Sequence, residues 1–462
     1  MCERCLPRRS FLRHGVGAAI ALAGAPYLFR PGELGAVLQS ERPDLEMAWR
    51  AWRWIESSRL ASDHGVTWPA DPSDPSSVGD TLYTHGPGVL PFALELFHST
   101  QDEEVLSSAR SGADHLAARL DEVEGTGLYV GLGGVAFVLA ETYRASGDVR
   151  YADATVKAAD LMTRRAQRVG AGVAWPIPGP DGSLEPTDVV SGTAGTGLAL
   201  LYLADVLERP DLIDVATRAG HRLVELAKPV DGGLTWEMWP GYAREMPNFA
   251  HGTAGIAYFL ATLAGKTGEG AFLDAAVRGA EYVQAIATID GDRHLVRHST
   301  PGGEDLYYLS WCHGPVGTAR LFHRLHEQTG EAKWGDWVHS GARGIMGTGI
   351  PEERTAGFWE NVSQCCGTAG VGEFFLTQYR MTGVTAYRGY ADRLSTDLRS
   401  RSTEKGEGTK WTQAEHRVRP ELLVAQTGFM QGAAGVGKYF LHADAMRSRE
   451  EGPKVLLPDS PY

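Results

Sequence analysis

Cysteine is scarce in this chain, in which only 5 of 462 residues are cysteine. Cys2 and Cys5 lie at the very start, which leaves Cys312, Cys365 and Cys366 for the rest of the sequence. Three cysteines in so long a chain, two of them adjacent, do not provide a disulfide framework. Their number and spacing indicate a metal site instead.

Positive charge is also in short supply. Lysine and arginine number 44 against 57 aspartates and glutamates, which gives a formal net charge of −13. This negative field disfavours nucleic acid and anionic lipid surfaces as partners. With 43% hydrophobic and 22% charged residues, the composition is that of a soluble globular protein with a large core. Length alone leaves open whether the chain has one or two domains.

The first residues differ from the rest of the chain. Arg8 and Arg9 precede an uncharged stretch at 15–29, a pattern typical of a twin-arginine export signal. The stretch is too short and too rich in glycine and alanine for a comfortable membrane span. We therefore expect a signal peptide at 1–30, a linker at 31–42, and an exported protein without a membrane span once the signal is removed. A disordered basic tail or an uncleaved anchor is the alternative.

An internal repeat is the most informative feature of the sequence. A glycine-rich turn followed by an apolar run occurs seven times, roughly sixty residues apart. Each turn ends on a second glycine, and these glycines are Gly88, Gly134, Gly195, Gly255, Gly317, Gly370 and Gly435. The runs that follow are hydrophobic nearly all round, which predicts inner helices buried on most sides.

A second, amphipathic helix is predicted in each repeat. In the stretch from Ala271, apolar residues recur at helical spacing while Asp274, Arg278 and Glu281 face away from them. Glycines such as Gly147 follow several inner helices, where a left-handed cap costs least. The sequence thus predicts seven hairpins in which outer and inner helices alternate.

Such hairpins predict an all-α fold, a double-walled α/α toroid over residues 43–445, with a tail at 446–462. An open stack would expose the apolar inner helices, so it is only the alternative. Short strands are expected in the loops at 234–236 and 295–297. In a toroid the glycines let inner helices approach one another, and the inner-helix N-termini converge at one end. Free N–H groups there favour anions and thiolates.

Three of the turns carry unusual residues directly before their glycines. Cys312 and His313 stand in the fifth turn, Cys365 and Cys366 in the sixth, and His251 in the fourth. Every cysteine of the expected mature protein is among them. If they were only small core residues, their joint position would be a coincidence. Three thiolates and one open position make a zinc shell of the catalytic type.

These motifs resemble those of the lanthionine synthetase C-like family, which includes the lanthionine cyclases. The resemblance covers 43–445 and rests on hairpins with Gly-x-x-Gly turns, a Trp-Cys-x-Gly motif and a later Cys-Cys-Gly motif. It implies an α/α barrel in which Cys312, Cys365 and Cys366 bind Zn²⁺, and a metal-activated thiol that adds to a dehydrated serine or threonine. The family more often has histidine where this chain has Cys366. Three thiolates on zinc give a formal charge of about −1, and hence a more electron-rich bound sulfur.

The resemblance also implies roles for residues around the cysteines. His251 would protonate the enolate that thiol addition creates, and Asp188 would orient His251 or accept the thiol proton. Tyr308 stands where lanthionine cyclases often have an arginine, so Tyr308, Tyr307 or His313 would donate to the enolate oxygen with less charge stabilisation. The alternatives are backbone carbonyl partners for His251 and a helix cap for Asp188.

The sequence therefore predicts an enzyme that adds a cysteine or a small-molecule thiol to a dehydroamino acid, with a separate dehydratase as partner. An α/α-toroid glycosidase using Glu237, Glu245, Glu360 or Asp188 is an alternative, although it leaves the cysteines unexplained. A non-catalytic zinc- or peptide-binding module is another. The polar segment 399–421 is long enough for a lid or a binding loop.

Overall fold

The structure is a computed structural model. It describes residues 42–179, 182–448 and 452–462. The signal peptide and nearly all of the linker predicted from the sequence lie outside the described residues. Within the described ranges, no helix combines the length and the apolar character needed to cross a bilayer.

Fourteen helices occur in the described part of the chain. In chain order they are α1 (Pro43–Glu56), α2 (Gly86–Thr100), α3 (Glu103–Ala118), α4 (Leu132–Ser146), α5 (Val149–Arg165), α6 (Thr193–Val206), α7 (Pro210–Leu226), α8 (Thr253–Thr267), α9 (Gly270–Ala285), α10 (Pro315–Thr329), α11 (Ala332–Met346), α12 (Thr368–Thr382), α13 (Thr385–Ser400) and α14 (Ala433–Ser448). Odd-numbered helices form an outer wall and even-numbered helices an inner wall.

The burial of the two sets of helices follows their sequence patterns. In α7 the buried apolar residues recur at helical spacing, as at Leu212, Val215 and Leu223, so one stripe of the helix faces inward. In α6 nearly every residue is buried, because neighbours cover it on all sides. A fully buried leucine contributes about 1.5–3 kcal/mol relative to an exposed one. The inner wall is therefore the main hydrophobic core.

The inner wall closes on itself. Each inner helix contacts the next, α14 returns to contact α2, and α1 packs on α14 to complete the last hairpin. At this seam the buried carboxylate of Asp44 binds Arg399 and Arg447, and Arg42 pairs with Asp444. The predicted toroid of seven hairpins is confirmed, and the open stack is not what forms.

Short antiparallel hairpins occupy the connections that lead from outer to inner helices. The pairs are β1 (Leu60–Ser62) with β2 (Gly65–Thr67), β3 (Gln167–Val169) with β4 (Gly172–Ala174), β5 (Ile177–Gly179) with β6 (Gly182–Leu184), β7 (Lys228–Val230) with β8 (Gly233–Thr235), β9 (Thr288–Asp290) with β10 (Arg293–Leu295), β11 (Ser402–Lys405) with β12 (Gly408–Trp411), and β13 (Gln413–Ala414) with β14 (Leu423–Val424). The strands expected near 234–236 and 295–297 correspond to β8 and to the end of β10.

A closed belt of backbone hydrogen bonds links the seven turns at the inner-helix N-termini. Its members stand five positions before the second glycine of each turn, with Val189 assisting in the third. The N–H to C=O pairs run from Tyr83 to Tyr129, Tyr129 to Val190, Val189 to Ala250, Ala250 to Cys312, Cys312 to Cys365, Cys365 to Met430, and Met430 to Tyr83, at 2.9–3.2 Å. The belt holds the side chains of these positions, and of the positions that follow them, at one end of the ring.

The second glycine of every turn is required by a close approach within that turn. A Cβ at this position would lie well under 3.0 Å from the carbonyl oxygen of the residue six positions earlier, in all seven turns. Only glycine, which has no Cβ, allows this close approach to the carbonyl oxygen. The prediction that these glycines serve contacts between inner helices was too narrow, because the atom closest to an added Cβ lies in the same turn.

The C-terminal segment 452–462 packs among the inner helices. Lys438 of α14 donates from Nζ to the carbonyl oxygen of Val455 at 2.8 Å. The fully buried Asp459 accepts from Tyr129 Oη at 3.0 Å and from Trp311 Nε1 at 3.1 Å. The segment expected to be a tail thus reaches the residues directly beside the belt.

The predicted glycine caps are also present. Gly147, Gly268, Gly330 and Gly383 follow inner helices with φ between 70° and 74°. This is the left-handed region, in which a residue with a side chain is strained. In four of the seven hairpins a left-handed glycine therefore ends the inner helix, as the sequence indicates.

Two glycines of the sixth hairpin provide a matched test of these caps. Gly383 has φ of 71° and Gly389 lies inside α13, and an added Cβ would meet nothing within 4 Å at either position. We expect Gly383→Ala to lower the free energy of unfolding by about 1 kcal/mol. Gly389→Ala should raise it by about 0.5–1 kcal/mol, because alanine favours a helix interior. Urea unfolding followed by circular dichroism measures both, and effects of the same sign would contradict the left-handed cap.

Candidate metal centre

Three cysteine side chains from two neighbouring turns meet at the belt. Cys312 Sγ lies 3.3 Å from Cys366 Sγ, which lies 3.2 Å from Cys365 Sγ. The three sulfurs all lie within 4.8 Å of one another, and all three residues are buried. None forms a disulfide. Cys312 and Cys365 are members of the belt, so backbone hydrogen bonds place them side by side.

The donor set suits Zn²⁺. Zinc binds thiolate sulfur at about 2.3 Å, so the sulfurs of a tetrahedral site lie about 3.8 Å apart. The observed separations of 3.2 and 3.3 Å would have to open by only about half an ångström. Three sulfurs leave the fourth position of a tetrahedral ion free, as in catalytic zinc sites. The residues present therefore fit the metal.

The pKa values of the three thiols are strongly coupled to one another. Burial raises the pKa of Cys312 well above its usual value. At Cys366 the hydrogen bond with Cys312 lowers the pKa, but the hydrogen bond with Cys365 and burial outweigh it and raise that pKa. At Cys365 burial raises the pKa, but hydrogen bonds from the other two thiols and Tyr83 prevail and lower it well below its usual value. The cluster by itself favours one thiolate, and a divalent cation would ionise the others.

Two further residues contact this cluster. Tyr83 Oη donates a hydrogen bond of 2.9 Å to Cys365 Sγ, and Gln431 Nε2 donates one of 3.0 Å to Tyr83 Oη. Neither residue was predicted from the sequence. A signal was present, because Tyr83 occupies the belt position of the first turn, and Gln431 follows the belt position of the seventh, as Cys366 does in the sixth.

His251 and Asp188 form a pair at the rim of the same site. His251 Nδ1 lies 2.6 Å from Asp188 Oδ2, while Asp188 Oδ1 accepts from the backbone N–H of Ser191 at 2.9 Å. The Asp188 side chain is fully buried and that of His251 is 29% exposed. Burial lowers the pKa of His251, but the hydrogen bond and charge of Asp188 outweigh it and raise that pKa. Asp188 thus both orders its own turn and orients the imidazole.

His313 and Tyr308 lie next to this pair, together with His298. The His313 ring is stacked on His298 with centroids 4.2 Å apart and meets Tyr308 edge-on at 5.6 Å. Neither nitrogen of His313 has a hydrogen-bond partner among the described residues. Burial lowers the pKa of His313 well below its usual value and that of His298 to about 4, and raises that of Tyr308 to about 12. All three are neutral at pH 7. No sequence motif marks His298.

An open cleft of about 620 Å³ gives access to the cysteines. His251, His313 and Tyr308 line it together with the cysteines. The segment at 415–418 forms another part of its wall, whereas β11 and β12 of the polar segment form a hairpin and β12 packs against α1. Tyr307 does not line the cleft, since its hydroxyl lies 2.8 Å from Thr288 Oγ1 at a different cavity.

Of the carboxylates named for the glycosidase alternative, Asp188 lies at the rim of this site, where it binds His251, whereas Glu237, Glu245 and Glu360 do not line the cleft. Glu237 pairs with Lys228, Glu360 pairs with Arg401, and Glu245 accepts from Tyr282 Oη at 3.1 Å. Of the described residues that line the cleft, Glu415 is the one carboxylate. The cleft is therefore built around sulfur and imidazole rather than around a pair of acids.

Comparisons with known proteins agree with this architecture. A family model described as lanthionine synthetase C-like protein matches residues 76–457, which include every inner helix and all three clustered cysteines. No curated protein sequence matches the chain.

Solved structures with the same fold include enzymes of two kinds. Nisin cyclase superposes with a TM-score of 0.60 at 15% identity, covering 89% of this chain and 95% of its own. An inactive variant of an α-1,6-mannanase from Salegentibacter sp. HEL1_6 has a TM-score of 0.50 at 12% identity, with 87% and 99% covered. An α-mannanase from Bacteroides thetaiotaomicron has a TM-score of 0.50 at 10% identity, with 90% and 98% covered. At these identities the likeness shows a shared toroid.

Removing the charge of Asp188 tests the pair at the rim. We expect Asp188→Asn to lower the pKa of His251, because burial then acts without the opposing carboxylate. NMR titration of the imidazole measures this shift. His442, whose pKa burial lowers but Glu373 raises more strongly, serves as the internal control and should keep its value. An unchanged pKa at His251 would show that the carboxylate does not govern it.

Proposed function

The chain belongs to the lanthionine synthetase C-like family, and from this premise we propose that it is a zinc-dependent enzyme that adds a thiol to a dehydroamino acid to form a thioether. The observation that carries the proposal is the meeting of three buried cysteine sulfurs at the base of an open cleft. When bound by Cys312, Cys365 and Cys366, zinc would supply the positive charge that keeps a substrate thiol ionised at neutral pH.

The chain's own residues account for the proton transfers. Addition forms a carbon–sulfur bond at the β-carbon and moves an electron pair to the carbonyl oxygen, and the α-carbon then takes up a proton. Because Asp188 holds Nδ1 of His251, Nε2 is the nitrogen left to carry that proton. The proton lost by the thiol balances the one gained by the α-carbon, so the net reaction is an addition.

Tyr308 and His313 are placed to stabilise the carbonyl oxygen as it gains charge. Both line the cleft, and the shifts of their pKa values keep both neutral at pH 7. A neutral phenol or imidazole N–H can donate a hydrogen bond to an enolate, although it offers less stabilisation than a cation would. We assign them this supporting role rather than proton transfer.

The substrate side of the proposal rests on chemistry and on the family. A dehydrated peptide with its own cysteine, or a small-molecule thiol together with such a peptide, supplies both reacting groups. Nisin cyclase, which shares the fold, is named for closing rings in a peptide. A separate dehydratase would prepare the acceptor. We further propose export by the twin-arginine route, with a signal at 1–30 and a linker at 31–42 that precede the toroid of 43–445.

The two other functions considered from the sequence have less support. The likeness to the α-mannanases shows a shared toroid, and among the described residues that line the cleft Glu415 is a single carboxylate, whereas a glycosidase needs a pair to flank the glycosidic bond. A non-catalytic zinc- or peptide-binding module would use the same cysteines but would have no need for the His251–Asp188 pair. Turnover of a dehydroalanine peptide separates this module from the enzyme.

Metal content tests the cysteine site. We expect the wild-type protein to retain zinc through purification, and Cys312→Ala, Cys365→Ala and Cys366→Ala each to lose most of it, because two sulfurs hold zinc much less tightly than three. Inductively coupled plasma mass spectrometry gives the stoichiometry. Tyr308→Phe, which removes a neighbouring hydroxyl but no sulfur, is the control and should keep its zinc. Equal zinc in all variants would place the metal elsewhere.

Thiol addition tests the role of His251. We expect His251→Gln to slow addition of a thiol to a dehydroalanine peptide by about 10²–10⁴-fold, the usual contribution of a general acid or base, with zinc content unchanged. The matched control is His416→Gln, which alters a histidine at the same cleft that is 64% exposed and should keep nearly full activity. A wild-type protein that binds zinc but never turns over would favour the binding module.

A further inference from the structure

A metal ion bound by the three cysteines would leave a net negative charge in a buried position. Three thiolates on a divalent cation leave about one negative charge by formal counting, and all three cysteines are buried. A buried charge is costly unless hydrogen-bond donors compensate it. The amides of Cys312 and Cys365 cannot help, because both donate within the belt. The backbone N–H of Cys366 donates to Ser363 Oγ at 3.4 Å, so the amides of all three cysteines are engaged elsewhere and side-chain donors are needed.

Tyr83 is such a donor. Its hydroxyl hydrogen bond to Cys365 Sγ measures 2.9 Å, which is short for a contact between oxygen and sulfur. Hydrogen bonds that involve an ionised partner are roughly twice as strong as those between neutral groups. A thiolate sulfur carries no proton and can only accept, so the Tyr83 hydroxyl is the donor in this contact.

The direction of this hydrogen bond is set by the residues behind Tyr83. Gln431 Oε1 accepts from Gln413 Nε2 at 3.3 Å and from Asn361 Nδ2 at 3.5 Å. The NH₂ end of the Gln431 amide therefore faces Tyr83 and donates to Oη at 3.0 Å. Because Oη accepts this bond, the one hydroxyl proton is left for Cys365.

The side-chain amides behind Tyr83 cannot easily flip. Gln413, Gln431 and Asn361 are all buried, and Gln413 Oε1 accepts from the backbone N–H of Val362 at 2.8 Å. Reversing the Gln431 amide would bring two NH₂ groups face to face and leave a buried donor without an acceptor, which costs about 1–3 kcal/mol. The hydrogen bonds from Gln413 to Gln431, from Gln431 to Tyr83 and from Tyr83 to Cys365 therefore run in one direction, toward the sulfur.

We propose that Tyr83, oriented by Gln431, draws negative charge from the Cys365 sulfur and thereby lowers the electron-donating strength of the metal centre. Tyr83 and Gln431 are thus positioning residues that act through a ligand, and no role in touching substrate is assigned to them. The inference rests on the proposed function in one respect, which is that the three cysteines hold a metal.

Cobalt substitution provides a readout that does not depend on activity. Co²⁺ bound by cysteine thiolates absorbs in the near ultraviolet through charge transfer from sulfur to metal. A hydrogen bond lowers the energy of the sulfur lone pairs, so losing it moves this band to longer wavelength. We expect Tyr83→Phe to show this shift with an unchanged cobalt stoichiometry.

Tyr129→Phe is the matched control. Tyr129 holds the belt position of the second turn, as Tyr83 does in the first, but its hydroxyl donates to Asp459 rather than to sulfur. The control should leave the band in place. A shift of equal size in both variants, or no shift in Tyr83→Phe, would overturn the inference.

A second variant keeps the test decisive if Tyr83→Phe does not fold. Replacing Tyr83 by 3-fluorotyrosine preserves its shape and makes the hydroxyl a stronger donor, so the band should move to shorter wavelength. An unmoved band would overturn the inference without affecting the proposed function. Absence of any charge-transfer band in the wild-type protein loaded with cobalt would instead remove the metal site, and the inference with it.

Discussion

Seven steps of backbone hydrogen bonding, made between neighbouring turns and closed into a belt, are the constraint on which the rest of this structure depends. They join residues from the first turn to the last, at 2.9–3.2 Å. The turns that carry them each require a glycine, because a Cβ there would meet the carbonyl oxygen of the residue six positions earlier. Cys312 and Cys365 are members of the belt, so their sulfurs meet without a disulfide or any special loop. The hydrogen bonds that link the turns of the toroid therefore also place the cysteines of the candidate metal site side by side.

The histidines of the site differ in whether a carboxylate lies next to them. His251 has a buried carboxylate at 2.6 Å, which raises its pKa. His313 and His298 are stacked on each other, no carboxylate in the described part of the chain pairs with either ring, and burial lowers the pKa of both. Tyr83 and Gln431 also line the cleft, with Tyr83 donating to Cys365 and Gln431 donating to Tyr83. The cleft therefore combines an imidazole paired with a carboxylate and a hydrogen-bond donor on sulfur.

Much of the fold followed from the sequence, and less of the site did. The toroid, the alternation of helices and the glycine caps were predicted correctly, and the cysteines were chosen because they recur at equivalent points of the repeat. Tyr83 and Gln431 were missed because their residue types do not indicate a metal site; the signal lay in their positions, which are equivalent to those of Cys365 and Cys366 in the sixth turn. His298 was missed because it lies outside the repeated turns. The polar segment 399–421 was predicted as a lid or a binding loop, and its residues 415–418 line the cleft. Tyr307 was considered, and its side chain belongs to another cavity.

The sequence by itself determined the features that depend on contacts within one turn or one helix: the helical periods, the left-handed caps such as Gly383, and the second glycine of each turn. Only the tertiary structure decided which side chains meet across the ring. Tyr83 and Cys365 are separated by 282 positions, and Asp188 and His251 by 63. Closure of the inner wall sets such distances, because the place of each turn depends on the packing of all seven hairpins, which no local pattern records.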